Sequence, residues 1–217
     1  MKIFLLKEFR TEIRRQSALS ALAMYVVSSV FVCYTAMGIQ AGNLNPQTWS
    51  ALFWIILLFS SFGIVGKSFG NEGKGVLIYY HSLLSPGSLI LAKMIYAILL
   101  TSALSIAGWL TFITLMGNPI ADTGMFLLCL FLGSSGFGSS LTLISAISSR
   151  AGNSGVLMAV LGFPVVLSIV LLCIRITKYS IDGLGLTAGT DELISLGGIS
   201  IISAAASFIL FPFIWRS

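Results

Sequence analysis

The chain has 217 residues, of which 57% are apolar and only 9% charged, with 12 Lys and Arg against 7 Asp and Glu. Because a soluble domain carries roughly 25% charged residues, this composition excludes an ordinary soluble fold and is typical of a membrane protein. The net charge of +5 does not indicate nucleic-acid binding, since the basic residues stand at the ends of apolar stretches. Residues 1–217 are therefore predicted to form a single transmembrane domain.

The first 16 residues predict an amphipathic helix that lies in the membrane interface. Leu5, Phe9 and Ile13 share one face of such a helix, and Lys7 and Arg14 lie mostly opposite. Six apolar stretches follow, each long enough to cross the roughly 30 Å hydrocarbon core of a bilayer. They predict membrane spans over residues 17–39, 49–66, 93–116, 124–148, 155–176 and 195–215.

The lysines and arginines indicate the orientation of these spans, because basic residues accumulate in cytoplasmic loops. With the N-terminus in the cytoplasm, only Arg175 and Lys178 fall on the outer side. The other ten of the 12 basic residues are cytoplasmic: Lys2, Lys7, Arg10, Arg14, Arg15, Lys67, Lys74, Lys93, Arg150 and Arg216. The sequence thus predicts an all-α, multi-pass protein of the cell inner membrane, with both termini in the cytoplasm.

The predicted cytoplasmic loop 67–92 is longer than a simple connection requires. It combines charges, glycines and an apolar stretch that stops at Pro86, which suits a short interfacial helix presented to a cytosolic partner; an ordinary connecting loop is the alternative. If the loop contacts an ATPase, the candidate docking residues are Phe69, Glu72, Lys74, His81, Ser85 and Pro86.

The predicted periplasmic loop 177–194 is more acidic than the other outer turns. Its Asp182, Asp191 and Glu192 are candidates for contact with a periplasmic partner. The loop is expected to form a small cap or a re-entrant element.

Small residues dominate the fourth predicted span. Ser134 and Gly138 are four residues apart, as are Gly136 and Ser140, and this spacing lets membrane helices approach closely. Two interpretations stay open, namely helix packing within one copy and a face for a homodimer.

The predicted spans carry no charged residue near their middle, which argues against an ion-coupled transporter or a membrane hydrolase. Gly66-Lys67-Ser68 is similar to the end of a phosphate-binding loop, but Ser61 stands where that motif requires glycine. No nucleotide site is therefore predicted, and any ATP used must be hydrolysed by another subunit.

Neither the cysteines nor the lone histidine indicates a cofactor. Cys33, Cys129 and Cys173 each lie inside an apolar stretch without a CxxC motif, so they are predicted to be small buried residues. His81 has no second ligand near it in sequence and is predicted to be a polar loop residue. We expect no catalytic, cofactor-binding or metal-binding residue in this chain.

Three parts of the chain resemble a known family. Lys7-Glu8-Phe9-Arg10 resembles its basic, amphipathic start, and Phe69 to Lys93, ending in Ser85-Pro86 and Leu91-Ala-Lys93, resembles its first cytoplasmic loop. The closest likeness runs from Leu132-Gly-Ser-Ser-Gly136-Phe-Gly138 through Arg150 to Gly155-Val-Leu and Phe163-Pro164. Together with the length and the six-span layout, these segments resemble the heme exporter protein B (CcmB) family, the permease subunit of an ABC-type complex in cytochrome c maturation.

The resemblance implies an ABC-2-type permease fold without enzymatic activity of its own. It implies two copies of the chain paired with two cytosolic ATPase subunits (CcmA), which bind the ATP, alongside the membrane protein CcmC. ATP hydrolysis would then drive haem handling and release of the haem-loaded chaperone (CcmE) at the periplasmic face, with haem as a candidate cargo. The rival functions are an ABC-2-type permease that exports another lipid or small molecule, a channel or secondary transporter, and a membrane-embedded enzyme.

Overall fold

A computed structural model describes residues 16–37, 45–70, 86–149 and 154–216. These ranges contain six α-helices and no strand. The helices are α1 (Gln16–Met37), α2 (Pro46–Gly70), α3 (Pro86–Met116), α4 (Thr123–Ser148), α5 (Ser154–Ile181) and α6 (Thr190–Arg216), with a 3-10 turn at Leu186–Gly189 before α6. The predicted interfacial helix over 1–16 lies almost wholly outside the described residues.

Helices α2 to α6 each contain a segment that is long and apolar enough to cross a membrane, and α1 contributes a shorter apolar segment, Ala23–Met37. Large apolar side chains cover the outside of the bundle, among them Met24, Ile201 and Phe213, which are 68%, 71% and 71% exposed. Such a surface suits lipid rather than water. The prediction of an all-α, multi-pass membrane protein is confirmed at this level, whereas the sixth crossing and the cytoplasmic termini stay predictions.

Helix α4 is the centre of the bundle, because it packs against α2, α3, α5 and α6. Two glycines make this possible. A Cβ at Gly133 would come within 2.9 Å of both the Sγ of Cys173 and the ring of Trp54, and a Cβ at Gly138 would come within 2.9 Å of the backbone of Ile98. Any larger side chain would push the neighbouring helices away. Helix α1 packs at the edge, against α3 and α2.

Successive helices from α2 to α6 run in opposite directions. The proximal end of the bundle is defined as the end at which α2 and α4 finish and α3 and α5 begin; the distal end is the opposite one. At the proximal end the Oγ of Ser145 donates to the carbonyl of Val65 at 3.2 Å. At the distal end the backbone N–H of Asp122 donates to the carbonyl of Ser180 at 2.9 Å.

The helices extend into both of the long predicted loops. Helix α2 continues to Gly70, and α3 begins at Pro86, so the described parts of loop 67–92 are helical. Proline is well placed at the first position of a helix, where its missing N–H would have no partner within the helix. The next residue, Gly87, seats this first turn against α6, since a Cβ there would come within 2.9 Å of the ring of Phe208.

Loop 177–194 is also largely helical. Helix α5 continues to Ile181 and α6 begins at Thr190, which leaves a short connection around the 3-10 turn. The charges favour these limits: Lys178 lies in the last turn of α5, and Asp191 and Glu192 lie in the first turn of α6. Cations at a helix C-terminus and anions at an N-terminus are both stabilised by the helix dipole.

Candidate functional site

Hydroxyl groups join α4 to its neighbours. On the α3 side, the Oγ atoms of Ser105 and Ser134 lie 3.0 Å apart, and the Oγ1 of Thr101 donates to the carbonyl of Ser134 at 3.1 Å. On the α6 side, the Oγ of Ser140 donates to the Oγ of Ser203 at 2.9 Å. Polar contacts of this kind hold helices together in a membrane, where no hydrophobic force drives their association.

The α6 side of α4 has a second hydroxyl pair, in which the Oγ of Ser135 donates to the Oγ of Ser200 at 3.3 Å. Each serine also has a carbonyl acceptor on its own helix: the single proton of Ser135 can reach the carbonyl of Leu132 at 2.8 Å instead, and Ser200 donates to that of Leu196 at 2.9 Å. Each hydroxyl therefore has a partner on its own helix as well as one across the interface.

The four small residues singled out in the sequence all lie in the interior of one copy. Ser134 and Gly138 face α3, and Ser140 faces α6. Gly136 faces α5 and α6, since a Cβ there would come within 3.3 Å of the Cδ1 of Ile169 and 3.2 Å of the Oγ of Ser200. The homodimer alternative thus finds no exposed surface at these residues in the described bundle.

The three acidic residues predicted to contact a periplasmic partner lie together at the distal end. Asp182 and Asp191 are exposed, and Glu192 accepts a hydrogen bond from the hydroxyl of Tyr179 at 3.2 Å. The connection that carries them also exposes two leucines, Leu184 (54%) and Leu186 (49%). The distal surface therefore carries acidic and apolar side chains beside the exposed Arg175 and Lys178.

The end of α5, directly before this connection, is fastened to the start of α4. The carbonyl of Ser180 accepts the N–H groups of Ala121 at 3.2 Å and of Asp122 at 2.9 Å, and the Oγ of Ser180 donates to the carbonyl of Asp122. The carboxylate of Asp122 in turn caps α4 by accepting the N–H of Met125 at 3.0 Å. These bonds fix the acidic residues relative to the bundle.

An aromatic cluster that the sequence analysis missed fills the distal half of the core. The ring of Trp49 stacks on that of Phe53 at 5.6 Å and meets that of Phe112 edge-on at 5.4 Å, and Phe53 contacts Phe126 at 5.7 Å. Such pairs stabilise a core beyond the effect of their buried area. The only sequence signal was the spacing of four residues between Trp49 and Phe53, which places both on one face of α2.

A third buried aromatic residue of α2, Trp54, ties that helix to α5. The Nε1 of Trp54 donates to the Oγ1 of Thr177 at 2.9 Å, and both residues are fully buried. This bond joins two helices 123 residues apart in sequence and closes the distal half of the core.

The proximal end contains a cleft between α2, α4 and α5. Its volume is about 270 Å³, and its wall includes Phe62, Gly66, Ser145, Ser148, Met158 and Ala159. The hydroxyls on the α4 side are already bonded, that of Ser145 to the carbonyl of Val65 and that of Ser148 to the carbonyl of Ser145 at 3.1 Å. The cleft is thus a space between helices rather than a set of unpaired polar groups.

Next to the cleft, the start of α3 packs tightly on α4 and α6. Leu89 and Ile90 form a separate buried cluster with Ala146 of α4 and with Phe211 and Trp215 of α6. Lys93, one turn further along α3, is only 2% exposed. The residue that the sequence placed at the cytoplasmic margin of a span is therefore enclosed by the bundle.

Of the six candidate ATPase-docking residues, only the first and the last belong to the described ranges. Phe69 lies in the last turn of α2, and Pro86 is the first residue of α3. Glu72, Lys74, His81 and Ser85 lie outside the described residues. The two helix ends that bracket residues 71–85 both belong to the proximal end.

Within the described ranges, no three His, Cys, Asp or Glu side chains gather as a metal site would require. A comparison with protein-family models finds no match, and a comparison with curated proteins finds none either. Fold and composition define the class to which the chain belongs, the multi-pass, all-α membrane proteins.

Proposed function

We propose that the chain is the membrane permease subunit of an ABC-type transporter and is moved by ATP hydrolysis in a separate subunit. The observation that carries this proposal is the extension of α2 and α3 into the predicted cytoplasmic loop, to Gly70 and from Pro86. The 31 residues of α3 correspond to about 46 Å, against a hydrocarbon core of about 30 Å. A rigid helix of this length reaches beyond the membrane and transmits force into it.

Contacts at the start of α3 give that force a route into the bundle. Gly87 touches Phe208, and Leu89 and Ile90 pack with Trp215, so the first turns of α3 are coupled to α6. Helix α3 also packs against α1, α2 and α4. A partner that binds segment 71–85 and changes shape with its nucleotide would therefore favour one arrangement of several helices over another.

The process that we propose for this subunit is haem handling in c-type cytochrome biogenesis, on the basis of the resemblance to the CcmB family. The acidic distal surface supports this proposal. Asp182 and Asp191 are exposed directly after the end of α5 that is fastened to α4, so a CcmE-like chaperone would meet a fixed surface. Movement that starts at the proximal end would then release the haem-loaded chaperone at the distal end.

Deletion of the gene, followed by complementation with the wild-type chain, tests the process. Holo-cytochrome c, detected by covalent haem staining, should be lost on deletion and restored by the wild-type chain. Normal staining in the deletion strain would contradict a role in cytochrome c maturation.

Charge reversal tests the link to an ATPase. The double variant Glu72→Lys with Lys74→Glu should lower co-purification of the ATPase subunit at least several-fold, while the matched control Asp182→Lys at the distal end should leave it unchanged. Equal co-purification in both variants would contradict docking through segment 71–85.

One observation favours a second candidate function, export of a lipid. An apolar groove of about 450 Å³ opens between α1 and α3, lined by residues that include Met24, Phe31, Val32 and Leu115. Acyl chains fit such a groove, and an ABC-2-type lipid exporter would share the rest of the architecture. Intact cytochrome c maturation together with an altered lipid composition in the deletion strain would favour this candidate.

A further inference from the structure

The first ten residues of α5, 154–163, form an arm that Pro164 separates from the rest of the helix. Proline has no N–H, so the hydrogen bond to the carbonyl of Val160 is missing and the turn around it is weakened. Gly162 adds backbone freedom two residues earlier. The weakest point of α5 therefore lies at the junction between the arm and the remaining helix.

One side of this arm borders the proximal cleft. The cleft volume of about 270 Å³ greatly exceeds the roughly 30 Å³ that one water molecule occupies in the liquid. A Cβ at Gly155, near the tip of the arm, would meet nothing within 4 Å. The tip consequently has room to move towards α2 and α4.

The opposite side of the arm carries large exposed side chains. Val156, Val160 and Phe163 are 59%, 64% and 59% exposed, as expected for a surface that lipid covers. Lipid can follow such a surface when it moves, whereas a tightly packed protein neighbour resists displacement. Little on this side holds the arm in place.

The arm contacts α2 at two places and α4 at one, where a Cβ at Gly162 would lie 3.6 Å from the Cδ2 of Leu141. A Cβ at Gly66 would lie 3.2 Å from the Sδ of Met158, and a Cβ at Gly162 would lie 3.0 Å from the ring of Phe62. The first contact is with the flexible end of a methionine, which adapts to a new position of the arm. The second lies beside Pro164, where a rotation displaces atoms least.

The rest of α5 is held much more firmly. Ile169, Cys173 and Ile176 are fully buried, and Thr177 accepts the hydrogen bond from Trp54. Movement of α5 is thereby confined to the part before the proline.

We infer that the arm pivots at Pro164, so that α5 has a second position in which the proximal cleft is closed. Closure brings the side chains that line the cleft into contact with one another and releases the water that a cleft of this size admits. The side chains on the lipid-facing side of the arm lose no comparable contacts. The inference goes beyond the proposed function, because it concerns a movement of this chain whatever drives it.

Distances between spin labels on the full-length chain in lipid vesicles test the inference without any partner. The labels are placed at Val156→Cys on the arm and at Phe59→Cys on α2, two positions that are 59% and 58% exposed. Cys33 is replaced by alanine, while Cys129 and Cys173, both 0% exposed, stay in place. The control pair combines Phe59→Cys with Leu171→Cys, 53% exposed, on the part of α5 beyond the proline.

The arm pair should give two distances and the control pair one. The label at residue 156 lies about 12 Å along the helix from Pro164, so a rotation of about 20° separates the two arm distances by about 4 Å. Pro164→Ala, which restores the hydrogen bond, should reduce the arm pair to one distance. Gly155→Leu, which fills the cleft, should remove the closed position.

Four results would overturn the inference. They are a single narrow distance for the arm pair, two distances in the control pair, two distances that persist in Pro164→Ala, and a closed position that persists in Gly155→Leu. The control pair also shows whether the labelled chain is folded. Its distance should match the distance between α2 and the firmly held part of α5 in the structure. None of these results depends on an ATPase, so failure of the proposed function leaves this test unaffected.

Discussion

At the distal end, aromatic rings stack across three helices and backbone hydrogen bonds tie the end of α5 to α4, whereas at the proximal end a cleft separates three helices. Phe53 and Phe126 belong to the first region and Phe62 and Met158 to the second. The proximal half thus contains a cleft beside a tightly packed cluster of α3, α4 and α6, whereas the aromatic cluster fills the core of the distal half. In the proposed function, force from a partner arrives near the cleft, and the distal half holds a docking surface steady.

The two prolines inside helices sharpen this contrast. Pro164 of α5 follows the arm that borders the cleft, but Pro212 of α6 lies between Phe211 and Trp215, which are buried with Leu89 and Ile90. Both prolines remove a helical hydrogen bond. The inferred hinge is therefore Pro164, since the packed surroundings of Pro212 hold the end of α6 in place.

The largest effect is expected from a matched pair of phenylalanine truncations. Phe53→Ala should lower the free energy of unfolding by about 3–5 kcal/mol, because it leaves a cavity in the aromatic cluster, where Phe53 is 1% exposed. Phe163→Ala on the arm, 59% exposed, should change it by less than about 1 kcal/mol. Reversible unfolding in mixed detergent micelles measures both. Equal losses would show that the arm is packed as firmly as the distal core.

A smaller effect is expected when a methyl group is added to glycine in each region. Gly133→Ala should destabilise the protein by about 1–3 kcal/mol, since the new Cβ would lie 2.9 Å from Cys173 and Trp54. Gly155→Ala should be neutral or slightly stabilising, because nothing lies within 4 Å of the added atom. The midpoint of thermal unfolding in detergent reports the difference. A harmless Gly133→Ala would mean that α4 and α5 are less closely packed than described.

The smallest effect is expected from loss of one interhelical hydrogen bond. Thr177→Val deprives the Nε1 of Trp54 of its acceptor and should cost about 1 kcal/mol. Thr111→Val is the matched control, because its hydroxyl donates only to carbonyls of its own helix, those of Ala107 and Gly108. Tryptophan fluorescence during unfolding compares the two variants. Identical unfolding midpoints for the two variants would show that this bond does not stabilise the distal half.

The sequence predicted the individual helices better than it predicted how they pack against one another. The predicted span 124–148 agrees closely with Thr123–Ser148, because Asp122 caps one end and a turn of small polar residues follows the other. Helix α3 begins at Pro86, seven residues before the predicted membrane span 93–116, in a loop for which the sequence allowed a short helix. Local signals thus defined the helices, whereas the limits of the membrane spans stay predictions.

The candidate site depends on contacts between helices, and the pattern of residues along a single helix does not reveal them. The small residues of α4 indicated close packing, but their spacing did not tell whether Gly138 faces Ile98 of α3 or a second copy. The aromatic cluster joins Trp49 to Phe112, 63 positions further along the chain. The proximal cleft exists only because three helices diverge around it. Such features follow from the arrangement of helices, which the pattern along each of them does not define.

The paired hydroxyls between α4 and α6 affect how easily one helix slides along the other. The single proton of the Ser135 hydroxyl can reach either the Oγ of Ser200 or the carbonyl of Leu132, and Ser200 donates to the carbonyl of Leu196. A shift in register that breaks the Ser135–Ser200 contact would therefore leave both hydroxyls with an acceptor on their own helix. The bond from Ser140 to Ser203, at 2.9 Å, is consequently the hydroxyl contact that resists sliding of α4 along α6.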